Sequence, residues 1–219
     1  AAEDSAGALA ALPALLISDI PARPEDFPTE TAGLSGVPLL RHAIPTGGIG
    51  YVNLYFDAGD LTAAQLSRAS LLCALLGELN TKTHSGAQLQ RLRRSLMGSL
   101  SFQMEPYGKI NGPDSCRVFL RASFSAVEAK LEEAAALLAE VLTETSFDNR
   151  LRLRELLRQC AVKMEQGIAG AGNSYAVTRV SAGVSVEGAV QEYTGGISCC
   201  RWLKETEKDF ENRAQELIG

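Results

Sequence analysis

The chain has 219 residues, 46% of them hydrophobic, enough for one substantial domain with its own core and a linker besides. Its formal charge of -5 is mild and spread along the sequence, which gives no basis for nucleic acid or an anionic membrane as a partner. The longest apolar run, residues 6–17, is broken by Pro13, is shorter than the roughly 20 residues that cross a bilayer and lacks a basic N-terminal flank, so no membrane span or secretion signal is expected.

Residues 1–35 are Ala-rich and then Pro-rich, with Pro13, Pro21, Pro24 and Pro28, which suits a short helix leading into an extended connector. The expected organisation is therefore a linker over residues 1–35 and a folded domain over 36–219. Residues 37–43 and 49–58 read as two strands joined by the turn Pro45-Thr46-Gly47-Gly48. The second strand alternates Tyr51, Asn53 and Tyr55 against Val52, Leu54 and Phe56, so one of its faces is core. Helix starts follow at Thr62-x-x-Gln65, Ser85-x-x-Gln88 and Ser125-x-x-Glu128, each fitting a capping box. They open helices over 63–79, from 85 onward, and over 125–143.

Strands are expected at 99–105 and 116–124, joined by a polar turn over 107–115. In the helix over 125–143, Val127, Leu131, Ala134, Leu138 and Val141 recur as one buried stripe. Leu153, Leu157, Cys160 and Met164 do the same in a helix over 148–167. Strands that come in hairpin pairs, separated by pairs of helices, predict an α+β fold, an antiparallel sheet with helices packed on one face.

Few side chains invite chemistry. The five cysteines at 73, 116, 160, 199 and 200 have no metal-type spacing and read as free thiols of a reducing compartment, with no disulfide. His84 lies in a loop entering a capped helix and His42 at a strand end, and each reads as structural. The glycines of 167–172 follow a helix rather than a strand, so they read as a terminator and not as a phosphate cradle. Arg150, Arg154 and Arg158 share a helix face, and Arg91, Arg93 and Arg94 lie on another helix; both read as solvated faces beside acidic neighbours. Paired glycines in residues 193–198 read as a turn before a C-terminal helix, with anion binding at that helix start as the alternative.

Residues 48–85, GIGYVNLYFDAGDLTAAQLSRASLLCALLGELNTKTHS, resemble the third domain of insulinase/pitrilysin-family zinc metallopeptidases, and more narrowly their presequence-protease branch. The resemblance continues in order through LPALLISDIPARPEDFPTE at 12–30, GVPLLRHAIPTGGI at 36–49 and YTGGISCCRWLKETEKDFE at 193–211. In that family two halves close around a chamber, and the first domain carries the zinc motif His-x-x-Glu-His. This chain has no such motif: His42 and His84 lie too far apart, and the helix over 63–79 reads Leu71, Leu72, Cys73, Ala74 and Leu75 where the motif is laid. The resemblance implies a catalytically silent, chamber-forming domain with no catalytic, cofactor-binding or metal residue of its own. Zinc sits in the parent enzyme's first domain, and the partners are the parent's other domains and unfolded peptide. A start at Ala1 without Met suits an excised fragment. The alternatives are a scaffold domain of an inactive homologue, and a peptide-binding module that uses residues 37–43 as a strand-pairing edge. The expected compartment is the cytoplasm, with an organelle matrix as the alternative.

Overall fold

The computed structural model describes residues 16–20, 23, 26–109 and 112–218. It divides into two compact units, Ala1–Thr46 and Gly47–Gly219. The short helix expected near the start falls on residues 1–15, outside the described residues, as do Pro21 and Pro24 of the connector.

In the first unit a single 3-10 turn, Ile17–Asp19, precedes an antiparallel hairpin of β1 (Thr29–Leu34) and β2 (Val37–His42). This corrects the expected pairing: residues 37–43 turn back on 29–34, which the sequence places in the connector, and not forward on 49–58. The turn explains it. Ser35 and Gly36 both have left-handed backbones, with φ of 51 and 84, and a two-residue turn of that kind matches the twist of the strands it joins. Thr29 Oγ1 and His42 Nδ1 meet at 3.1 Å across the open end.

In the second unit β3 (Ile49–Asp57), β4 (Ser99–Lys109) and β5 (Gly112–Val127) form an antiparallel sheet in the order β3-β5-β4. Val52 and Leu100 both lie opposite Phe124, and Leu54 and Phe102 opposite Ala122, so alternation puts these apolar side chains on one face. Against that face pack α1 (Ala63–Leu75), α2 (Gly86–Leu96) and α3 (Leu131–Glu144), through Leu72, Leu89, Leu137 and Leu138. The fold is α+β with its helices on one side of the sheet. Helices α4 (Arg150–Gly170), α5 (Gly172–Ser181), α6 (Val186–Gly195), α7 (Ile197–Lys208) and α8 (Phe210–Ile218) complete the unit. Leu71 and Leu75 of α1, Leu153 and Leu157 of α4, Leu203 of α7 and Phe210 of α8 form a second core cluster.

Thr62 and Ser85 cap α1 and α2 as expected; the Ser85 N–H donates to Gln88 Oε1 at 2.9 Å. The third capping box does not form. Ser125 is a buried residue of β5 whose hydroxyl lies 2.8 Å from that of Ser99, and α3 begins only at Leu131 after a 3-10 turn, Glu128–Lys130. Ser125 lies in the ladder opposite Tyr51 and Ser99, its carbonyl accepting from the Gly98 N–H at 2.8 Å, and that pairing overrides the local signal. Val127 is accordingly exposed, and Leu137 joins the stripe instead. Helix α1 stops at Leu75, short of the expected 79, where Gly77 takes a φ of 80. The β4 and β5 strands run beyond the expected 99–105 and 116–124, and residues 110 and 111 of the expected turn lie outside the described residues.

The glycines of 167–172 interrupt helix only at Ala171, between α4 and α5. Tyr193, Thr194 and Gly195 are the last turn of α6, not a turn segment, and Gly196 is the cap residue of α7. Tertiary bonds hold that last turn: Ser67 Oγ of α1 donates to the Tyr193 carbonyl at 2.7 Å and Ser70 Oγ to the Thr194 carbonyl at 2.6 Å.

Candidate functional site

Among the described residues, no helix of the second unit covers the other face of the sheet. On it β3 presents Tyr51, Asn53 and Tyr55, and β5 presents Arg117, Phe119 and Arg121, alternating with Val118, Leu120 and Ala122 on the core side. Three rings from three strands meet edge to face: Tyr55 and Tyr107 at 6.3 Å between centroids, Tyr55 and Phe119 at 6.0 Å, Tyr107 and Phe119 at 5.9 Å. The Arg117 guanidinium lies 4.9 Å from the Phe119 centroid and donates to Asp57 Oδ2 at 2.9 Å. Arg121 donates to Asn53 Oδ1 at 3.1 Å and its Nε lies 2.7 Å from Glu105 Oε1.

The electrostatics are balanced. Burial pushes the Glu105 carboxyl up, but hydrogen bonds from Tyr107 and Gln103 and the nearby Arg121 charge outweigh it and hold the group below its ordinary range. The Asp57 carboxyl is also lowered, first by the Gly59 backbone N–H and then by Arg117. Glu105, accepting from the Tyr107 hydroxyl at 2.6 Å, keeps that phenol protonated well above its usual range, with Tyr55 adding to the effect. Two carboxylates and two guanidiniums thus neutralise one another beside three half-exposed rings. Such a face is suited to contact. Sequence reasoning missed the cluster, although its signal is present: Arg117, Phe119 and Arg121 alternate with apolar neighbours.

His84 Nδ1 lies 2.9 Å from Glu140 Oε1 of α3, and the Thr81 hydroxyl donates to the same oxygen at 2.5 Å, tying the loop before α2 to α3. Burial raises the Glu140 pKa, but the bonds from Thr81 and His84 prevail and lower it from the ordinary 4.5. A depressed carboxyl contributes stability that is complete above its unfolded value and is lost as pH falls through the folded one. Glu140→Gln is therefore expected to cost about 1 kcal/mol at neutral pH and progressively less below about pH 4.5, read by urea unfolding across that range. His42 belongs to the hairpin of the first unit.

Among the described residues no group of three or more His, Cys, Asp or Glu side chains is placed to hold a metal ion. His84 Nδ1 is engaged by Glu140, and its unit holds no second imidazole. The five cysteines are free thiols. Burial pushes Cys73 up to about 12 and Cys199 up to about 11, so neither is a ready nucleophile.

The arginines of α4 have local partners: Arg152 with Glu155 at 2.8 Å, and Arg154 with Glu211 at 3.5 Å. Arg158 lines a shallow depression of about 370 Å³ built from α4 alone. The anion site at the start of α7 is filled from within. The Glu192 side chain, 1% exposed, accepts from the Ser198 N–H at 2.8 Å and from Arg179 Nη1 at 2.9 Å. No described helix is long and apolar enough to cross a membrane.

An antiparallel sheet with one helix-covered and one open face makes this a two-layer α+β domain. The chain belongs to the peptidase M-16C associated family, whose model matches residues 1–205. It is 29% identical over 98% of its length to presequence protease 1, chloroplastic/mitochondrial, of Arabidopsis thaliana, covering 20% of that protein. It is 25% identical over 92% of its length to protein HypA of Clostridium perfringens, covering 21% of it, and 26% identical over 88% to the mitochondrial presequence protease of Danio rerio, covering 19%. The chain thus spans about a fifth of the length of the curated relatives it matches.

Proposed function

We infer that this chain is a non-catalytic, chamber-forming domain of a zinc metalloendopeptidase that degrades unfolded peptides, and that its open sheet face is wall contacting the peptide. The carrying observation is the charge-balanced cluster of Tyr55, Tyr107 and Phe119 on a face left uncovered by the helices of its own unit. Half-exposed rings with their neighbouring charges already paired favour apolar, sequence-tolerant contact over ion binding. Zinc and the water it activates belong to another domain of the longer polypeptide, and the contribution here is confinement. The free thiols suit a reducing interior, the cytoplasm or an organelle matrix; of the relatives, the plant one is named chloroplastic/mitochondrial, the fish one mitochondrial, and the third is bacterial.

The test is a photo-crosslinking residue placed at Tyr55, and separately at Leu151 on α4, in the longer polypeptide. An unfolded peptide substrate is expected to crosslink at position 55 and not at 151. Equal labelling at both, or none at 55, overturns the wall assignment.

A further inference from the structure

The sheet has two edges, and they are built differently. At the β4 edge, Pro106 lacks an N–H, the register shifts between Gly108 and Lys109, and Lys109 adds a charge, three devices that discourage further pairing. The β3 edge has none of them. Its nine residues pair with β5 in unbroken register from Ile49 to Asp57, with no proline, lysine or bulge.

The bonds flanking β3 fix which backbone groups point outward. The Ala58 N–H donates to the Val118 carbonyl at 2.9 Å and the Gly48 carbonyl accepts from the Glu128 N–H at 2.9 Å, so the even-numbered residues face β5. The N–H and C=O groups of Tyr51, Asn53 and Tyr55 therefore point to the open edge. The side chains beside that edge are also uncovered: Tyr51 is 66% exposed, and Leu54 and Phe56, on the helix side, are 40% and 46% exposed. From Ile49 to Phe56 the strand carries no charge, and the Asp57 carboxylate at its end is engaged by Arg117 and Gly59.

We propose that the outer edge of β3 takes an added strand from an extended peptide with large apolar side chains at alternate positions and no charge opposite Ile49–Phe56. The proposal rests on the peptide-wall reading and specifies how the peptide is held. Main-chain bonds to residues 51, 53 and 55 supply sequence-tolerant affinity, and the alternate apolar side chains cover Leu54 and Phe56. An uncharged strand is the electrical complement of this edge, because a charge laid there loses hydration and meets no partner.

The probe is a fluorescein-labelled, uncharged nine-residue peptide of alternating leucine and serine, titrated onto the purified chain by anisotropy. Controls are the same peptide N-methylated at alternate residues in either phase, and the variants Tyr51→Pro, which removes an outward N–H, and Tyr51→Lys, which guards the edge without constraining the backbone. Circular dichroism verifies folding, so Tyr51→Lys keeps the test valid if the proline variant unfolds. Saturable binding is expected, weakened about tenfold or more by N-methylation in one phase and by Tyr51→Lys. Equal binding of all peptides, indifference to Tyr51→Lys, or no binding overturns the proposal. So does a concentration-dependent dimer abolished by Tyr51→Lys, which would assign the edge to a second copy. Crosslinking at position 55 that persists after any of these failures leaves the wall reading standing; its loss removes both.

Discussion

Gly188→Ala is expected to lower stability by about 3 kcal/mol, and the thermal midpoint by about 6–12 °C. Gly188 lies in the first turn of α6, its N–H bonded to the Ser185 hydroxyl at 3.0 Å. An added Cβ would fall on the Ser181 carbonyl and within 2.9 Å of the Ala182 backbone nitrogen. Those atoms belong to the end of α5 and the residue after it, so relief requires α6 to move bodily away from α5 rather than a side chain to rotate. Differential scanning calorimetry of the variant against Gly33→Ala, where a Cβ meets nothing within 4 Å, separates this clash from the general effect of replacing glycine.

Glu192→Ala is expected to cost about 3 kcal/mol in urea unfolding. The substitution removes the carboxylate that holds the start of α7, leaves the Ser198 N–H without its acceptor and empties a space the fold has closed around. Arg179→Ala should cost less, about 2 kcal/mol: it leaves the buried Glu192 carboxylate without its cation but still accepting from the Ser198 N–H. Equal losses for the two variants would mean that the ion pair, rather than the helix cap, is what Glu192 provides. A Cβ at Gly196 would meet that same carboxylate, so glycine there serves close packing and not a special backbone angle.

The sequence reveals those elements whose signals agree with their surroundings. Thr62 and Ser85 cap helices because nothing else competes for their backbone groups, whereas Ser125 carries the same signature and is drawn into a strand paired on both sides. The reading of residues 37–43 as a strand holds while its partner changes, because a left-handed Ser35 is not evident from residue type. Helices α5 and α6 escape notice because residues 172–195 are rich in glycine and β-branched residues, and α6 is held by bonds from Ser67 and Ser70 more than a hundred residues earlier in the chain. The open face was half legible. Tyr51, Asn53 and Tyr55 alternate visibly, but their neighbours Phe119 and Tyr107 are fixed by register, which no local pattern contains.

The position of β5 at the centre of the sheet has a kinetic consequence. Its pairing with β4 is a local hairpin, closed early, whereas its pairing with β3, as of Leu120 with Phe56, must wait for α1, α2 and β4 to be collected between them. Until then the sixteen-residue β5 has one flank unpaired, with Phe124 and Leu120 beside it. The nascent chain is therefore most prone to self-association after the hairpin forms and before β3 docks, and a chaperone acting on it would have the β5 flank to shield.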